Sequence, residues 1–232
     1  MSVPTELLRR NADAIFFDCD GVLLDSVHVK ERQFRAMMQE RIPQFADAAM
    51  DYYWRNGGTS RLAKFRWIWT NLVGKTLPET EIEALGREFQ DRVFSGVVSC
   101  PMLPGAQEFL DAHAAGLPCF VISGTPDEEL KRVIRTRGMD RYFREMRGSP
   151  KTKTEIGLEL LERHHLTPSK TWFVGDATTD LEAARNLGVR FVGVAGPHLT
   201  PFAAGVPLIN DIMELERLIL SANDADLHSP AR

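Results

Sequence analysis

Four short apolar runs constrain this chain most: 14–18 (AIFFD), 118–123 (PCFVIS), 171–176 (TWFVGD) and 190–194 (RFVGV). They are apolar without alternation, as strands covered on both faces of a parallel sheet must be. A weaker strand signal lies at 145–147 and a short one at 207–209. Helical stretches alternate with them after residue 100: 104–115, 127–137, 154–165, 179–187 and 211–220. Gly116 and Gly188 stop two of these helices, and Thr167-Pro168 stops a third. Thr125 precedes Pro126 and has capping-box spacing to Glu128, so Thr125 is expected to cap the helix that follows. Strand alternating with helix predicts an α/β fold, a Rossmann-like doubly wound parallel sheet with right-handed crossovers.

Residues 26–100 interrupt that alternation. Stretches 30–40, 44–54, 60–72 and 78–95 read as helices, with no strand between them. The expected organisation is therefore a core of 1–25 and 101–232 with an inserted four-helix cap at 26–100. The 232 residues, 44% hydrophobic and 26% charged, suit an ordinary globular chain and exclude a disordered or fibrous one. Apolar runs such as 14–17 and 172–174 fall far short of a membrane span, and MSVPTELLRR lacks the apolar segment of a signal peptide. Three cysteines, Cys19, Cys100 and Cys119, show neither zinc nor disulfide spacing, which points to a reducing, cytoplasmic setting. A net charge of -4 argues against a nucleic-acid partner. The last stretch, 221–232, is polar and expected to fray.

Acidic and small residues gather where the strands end. The first strand runs into DCDGVLLDS, with Asp18 and Asp20 two apart before the turn at Gly21. The second ends at Ser123-Gly124, a hydroxyl beside backbone amides that an anion can use. The fourth ends at Gly175-Asp176, and Asp180 follows in the first turn of the next helix. Lys151 and Lys153 precede the helix before that strand, where a cation opposes the helix dipole unless something negative faces it. Ligands of open α/β sheets bind outside the C-terminal strand ends, so these residues are expected to meet. Two carboxylates 4 Å apart repel by roughly 4 kcal/mol at an effective dielectric of 20. A set of four calls for a divalent cation, and magnesium suits carboxylates combined with a phosphate.

This motif set, D-x-D-G-V-L-x-D-S, then S-G-T, a lysine and V-G-D-x-x-x-D, resembles that of the haloacid dehalogenase (HAD) superfamily over residues 14 to about 195. The insert resembles its helical cap, and LPGAQEFLDAHAAG resembles the segment after the cap in phosphoglycolate-phosphatase-like members. The resemblance implies a phosphatase for a small phosphomonoester. Asp18 is then the nucleophile that forms an aspartyl-phosphate, and Asp20 the general acid and base. Ser123 and the Gly124 amide bind phosphoryl oxygens, and Lys153 or Lys151 neutralises the phosphate. Asp18, the backbone carbonyl of Asp20, and Asp176 hold Mg2+, with Asp180 in support. Asp20 argues against a true dehalogenase, whereas a sugar phosphomutase shares the set and remains the enzymatic rival. A non-catalytic binding or scaffold protein is the rival from another class.

The SPKTKTEIG stretch leaves the lysine open: one alignment selects Lys151, another Lys153, which directly precedes the helix. In the insert, NGGTSRLAKFRW places Arg61 and Lys64 on one helix face, where they either read the substrate's leaving group or form a solvated basic surface. Trp54, Trp67 and Trp69 are expected to pack inside the cap. The six histidines, His28, His113, His164, His165, His198 and His228, have no metal spacing and read as surface or satisfied residues. Cys19 reads as packing. The expected molecule is a cytoplasmic monomer or weak homodimer with a small-molecule substrate and neither nucleic-acid nor membrane partners.

Overall fold

The computed structural model describes residues 2–196 and 202–222. The frayed tail expected from 221 falls almost entirely outside this range, as do His198 and His228. A single helical turn, α1 (Thr5–Leu8), leads into β1 (Ala14–Phe17). The insert follows as α2 (Val27–Arg41), α3 (Ala46–Arg55), α4 (Arg61–Ile68), a π-helical turn (Trp69–Val73) and α5 (Glu79–Ser99). Then come α6 (Ala106–His113), β2 (Cys119–Pro126), α7 (Asp127–Thr136), β3 (Glu145–Ser149), α8 (Lys153–Arg163) and β4 (Thr171–Gly175). The chain continues through α9 (Thr178–Leu187), β5 (Arg190–Val194), β6 (Leu208–Ile209) and α10 (Glu214–Ser221).

Among the described residues the strands form one parallel sheet in the order β3-β2-β1-β4-β5-β6. Phe17 pairs with Val121 of β2 and with Val174 of β4, so β1 and β4 end within a residue of each other beside the 122–124 stretch of β2, which runs on. Alternate side chains enter opposite layers. Ile15 and Phe17 join one apolar cluster, while Ala14 and Phe16 join the other. Phe16 meets Phe120 and Phe173 edge-on, with ring centroids 5.5 and 6.2 Å apart. Burial on both faces explains why these runs lack the polar alternation of a one-sided sheet.

The cap of one helix differs from expectation. β2 runs on to Pro126, which pairs with Ser149, and α7 starts without a side-chain cap. Thr125 turns its hydroxyl to Asp20 instead (3.0 Å). A capping box does occur one helix later, where the Thr152 hydroxyl accepts from the Glu155 amide and Glu155 accepts from the Thr152 amide.

Inside the insert, Phe34 stacks on Phe65 (5.5 Å) and meets Tyr53 (4.6 Å) and Phe89 (5.9 Å). Of the three tryptophans assigned to this interior, Trp69 is buried there. Trp67 stacks on Tyr52 and remains 37% exposed, while Trp54 faces the cavity described below. The two linkers between insert and sheet run antiparallel side by side. Leu24 bridges Met102, the Asp25 amide donates to the Pro101 carbonyl (3.0 Å), and the Leu103 amide donates to the Leu23 carbonyl (3.1 Å). Arg137, just past α7, donates to the carbonyls of Val97, Val98 and Cys100 at 3.1, 2.5 and 2.8 Å. It thereby holds the exposed carbonyl end of α5 against the sheet layer. No helix among the described residues is long and apolar enough to cross a membrane.

Candidate active site

The ends of β1 and β4, with residues 123–125 of β2 beside them, form the floor of a cavity of about 510 Å3, and the insert forms its roof. Asp18 follows directly on β1 and is 4% exposed. Its amide donates to the Val174 carbonyl (2.9 Å), which extends the sheet by one residue and fixes the side chain at the rim. Lys153, 6% exposed at the start of α8, donates to Asp180 Oδ1 (2.5 Å) and lies 3.2 Å from Asp18 Oδ2. The second oxygen of Asp180 accepts from the Ala177 amide (3.0 Å), so Asp180 is committed on both sides. Gly21 has φ +82°, and a Cβ there would fall 2.2 Å from Asp176 Oδ2, so only glycine lets Asp176 come against this turn.

Asp20 is held by three donors: the Ser26 hydroxyl (2.5 Å), Lys30 Nζ (2.5 Å) and the Thr125 hydroxyl (3.0 Å). Burial works against its ionisation, but Lys30 and these hydrogen bonds outweigh burial and hold the carboxyl below the usual range. Asp18 goes the other way. Burial pushes it up to about 7, Lys153 opposes that, and Asp180 and Asp20 add to it. Asp176 is raised strongly, by burial first and then by Asp18 and Asp180. Ser123 is buried, and its oxygen accepts from the Thr125 amide (3.1 Å).

One oxygen each from Asp18, Asp176 and Asp180 lies within 4.8 Å of the others, which is a cluster able to hold a metal ion. Asp18 Oδ1 is buried without a hydrogen-bond partner. Four carboxylates here are paired with two ammonium groups, Lys153 and Lys30, leaving a deficit that a divalent cation matches. An all-oxygen donor set suits magnesium. The Asp20 side chain stands outside the cluster, which leaves only its backbone carbonyl for such an ion.

The insert closes directly on the floor. A Cβ on Gly124 would come within 2.4 Å of the Gly58 carbonyl, so glycine at 124 admits the insert's backbone. The Thr179 hydroxyl donates to the Gly57 carbonyl (3.3 Å). Arg61, expected either to read the leaving group or to belong to a solvated basic surface, pairs with Glu129 of α7 at 2.5 Å, with both side chains buried. It is thus a tie between insert and core. Lys64 lines the cavity, with its ammonium 4.1 Å from the centre of the Tyr53 ring. Lys151 lies away from the floor and pairs with Glu159 on the outside of α8. Cys19 is buried in the apolar core.

Among the histidines, His113 is buried between Glu216 (2.8 Å) and Thr5 (2.9 Å), and His164 pairs with Glu145 (2.8 Å). His28 pairs with Asp25 (3.3 Å) beside the cavity. Sequence reasoning missed Lys30, Thr125 and the aromatic roof. Lys30 stands in the first turn of α2, where a cation opposes the dipole, so the argument applied to Lys151 and Lys153 could have found it.

A family model described as haloacid dehalogenase-like hydrolase matches residues 12–188. A phosphoglycolate phosphatase of Vibrio parahaemolyticus is 26% identical over 87% of this chain and 92% of the relative. A phosphorylated carbohydrates phosphatase of Thermotoga maritima is 25% identical over 78% of this chain and 85% of its own. The fold is similar to the crystal structure of a "predicted phosphoglycolate phosphatase" from Haemophilus somnus, with TM-score 0.70 and 22% identity, over 90% of this chain and 98% of the other. It is also similar to CbbY from Rhodobacter sphaeroides in complex with xylulose-(1,5)bisphosphate, with TM-score 0.69 and 18% identity, over 88% and 96%. The matched region starts ahead of β1, ends just after α9 and includes all four acids of the floor, and on that ground the chain belongs to the haloacid dehalogenase-like hydrolases, as a phosphatase of their phosphoglycolate-phosphatase-like branch.

Proposed function

We propose that this phosphatase hydrolyses a small phosphomonoester in two steps, through an aspartyl-phosphate on Asp18, with magnesium as its cofactor. The observation that carries this reading is Asp18 itself. One oxygen faces Lys153 while the other, Oδ1, is buried at the cavity without a partner. In the first step Oδ1 forms a bond to phosphorus as the bond from phosphorus to the leaving oxygen breaks. Lys30 shifts from Asp20 as substrate enters, Asp20 takes up a proton, and it delivers that proton to the leaving oxygen. In the second step water attacks the same phosphorus, Asp20 takes its proton, and Asp18 is released. Ser26, Lys30 and Thr125 favour the ionised Asp20 that this second step needs. Ser123 and the Gly124 amide bind phosphoryl oxygens, and Lys153 orients Asp18 while neutralising charge.

Asp18, Asp176 and the Asp20 carbonyl hold magnesium, with Asp180 fixing Lys153 behind them. Bound there, the ion neutralises charge on the carboxylates and on the phosphoryl oxygens. Free, buried Cys19, Cys100 and Cys119 support a reducing, cytoplasmic location.

The test is phosphate release from a panel of phosphomonoesters with magnesium, beginning with phosphoglycolate because relatives carry that name. Release that chelator abolishes and magnesium restores is the expected result. No release from any ester overturns the reading, and so does an isomeric product that needs a bisphosphate, because that identifies a mutase.

A further inference from the structure

The floor accounts for the phosphate, and most of the roof does another job. On the insert's side the half-buried rings of Tyr53 and Trp54 face the cavity, and the buried rings of Phe34 and Phe89 back them. Tyr53 meets Trp54 at 5.4 Å, so these two rings form the aromatic wall, and Phe34 supports Tyr53 from behind at 4.6 Å. The enclosed volume, about 510 Å3, lies within the range of about 300–1,000 Å3 typical of drug-sized ligands. A two-carbon hydroxy acid would leave most of such a wall uncovered, and apolar surface facing trapped water is unfavourable.

The wall also contains an uncommitted cation. Lys64 is 6% exposed and makes no ion pair among the described residues, although Arg61 three residues earlier is bound to Glu129 and Lys30 to Asp20. Its contact is with the Tyr53 ring. Burial in this wall, with Lys30 adding repulsion, pushes the amine down to about 7. Such a group is costly to the empty enzyme and is offset by a ligand that brings a negative charge.

We propose that the leaving group of the substrate is an aromatic or heteroaromatic alcohol that packs against the ring wall and presents an anionic substituent to Lys64. The inference rests on the phosphatase reading and refines it. Flat rings gain area and specific edge or face contacts from such a wall, and a charged substituent gains a desolvated ion pair beside it.

Three esters separate the contributions: phosphoglycolate, benzyl phosphate and 4-carboxybenzyl phosphate. All release an alcohol whose oxygen is on a saturated carbon, so differences in intrinsic leaving ability are small. With the magnesium-loaded full chain, kcat/KM should fall in the order 4-carboxybenzyl, benzyl, phosphoglycolate, with at least ~10-fold between the first and last. Trp54→Leu should lower the ratio of benzyl phosphate to phosphoglycolate kcat/KM by at least ~10-fold. Lys64→Met should bring 4-carboxybenzyl down to the level of benzyl phosphate. Preference for phosphoglycolate over both benzyl esters in the wild-type protein overturns the inference and leaves the phosphatase reading intact, as do ratios that neither substitution moves. Absence of phosphate release from all three esters and from p-nitrophenyl phosphate overturns both.

Discussion

Floor and roof of the cavity hold buried charge in opposite ways. On the floor, Lys153 reaches Asp180 at 2.5 Å and Asp18 at 3.2 Å, and Lys30 reaches Asp20 at 2.5 Å. Each of these lysines is committed before any substrate arrives. In the roof, Arg61 is bound to Glu129, and Lys64 rests on an aromatic ring and pairs with no acid among the described residues. The floor therefore offers every phosphate the same prearranged surroundings, whereas the roof keeps the Lys64 amine and the rings of Tyr53 and Trp54 for whatever is attached to it. Reaction type belongs to the first region and discrimination to the second.

The sharpest way to break that division is on the floor. Asp18→Asn should remove turnover of every ester, whatever its leaving group. Asp20→Asn should slow all of them by at least ~10²-fold, the usual loss for a general acid–base group. Phosphate release assays across the panel check both, and an Asp18→Asn protein with wild-type turnover would exclude Asp18 as nucleophile.

A smaller effect is expected where the regions meet. Glu129→Gln leaves Arg61 without its acid in the closed form, while opening lets that guanidinium reach water. Closure weakened by about 1.4 kcal/mol should raise KM about tenfold, with kcat changed less. Steady-state kinetics on one ester decide this; an unchanged KM means that the pair does not hold the insert shut.

In the roof the expected change is in stability. Lys64 has its amine lowered from 10.5 to about 7, so between those values the folded chain binds fewer protons than the unfolded one. Its cost is therefore largest below pH 7 and fades as pH approaches 10.5. Lys64→Met should raise Tm by at least ~4 °C at pH 6.5, using the ~2–4 °C per kcal/mol typical of chains this size, and by much less at pH 10. Equal gains at both pH values would show that packing, not charge, is responsible. Smallest of all is Lys151→Ala. Its pair with Glu159 is surface-exposed, so stability should stay within about 0.5 kcal/mol and activity should be unchanged.

How much could be read beforehand follows the same line between regions. β1, β2 and β4 are apolar on both faces because helices cover both, and that pattern is local to each strand. Parallel register then brings Asp18, Ser123 and Asp176 level, so the floor is encoded where strands end. The four helices of the insert were equally legible from periodicity. Lys153 against Lys151 was not, because Lys151 lies ahead of the cap Thr152 and Lys153 at the first helical position, and only packing decides which of them turns inward. The ion pair of Arg61 was not legible because its partner lies 68 residues away on α7. Thr125 looked like a cap since its spacing satisfies one, but β2 runs on past it to Pro126, and its hydroxyl accepts from Lys30 while donating to Asp20.

The paired linkers, finally, bear on how such a molecule can be altered. Leu24 and Met102 are bridge partners, so the insert leaves the sheet and returns to it at a single place. Strand β1 and helix α6 consequently meet the same geometry whether a long or a short segment joins them, and loop-closure entropy grows only slowly with the length of that segment. This makes 27–99 a replaceable segment on one condition. A relative's segment spliced between Leu24 and Met102 should carry its own substrate preference if it restores the hydroxyl and ammonium that Ser26 and Lys30 give Asp20, and a tight turn placed there, which removes both, should cost turnover as well as selectivity.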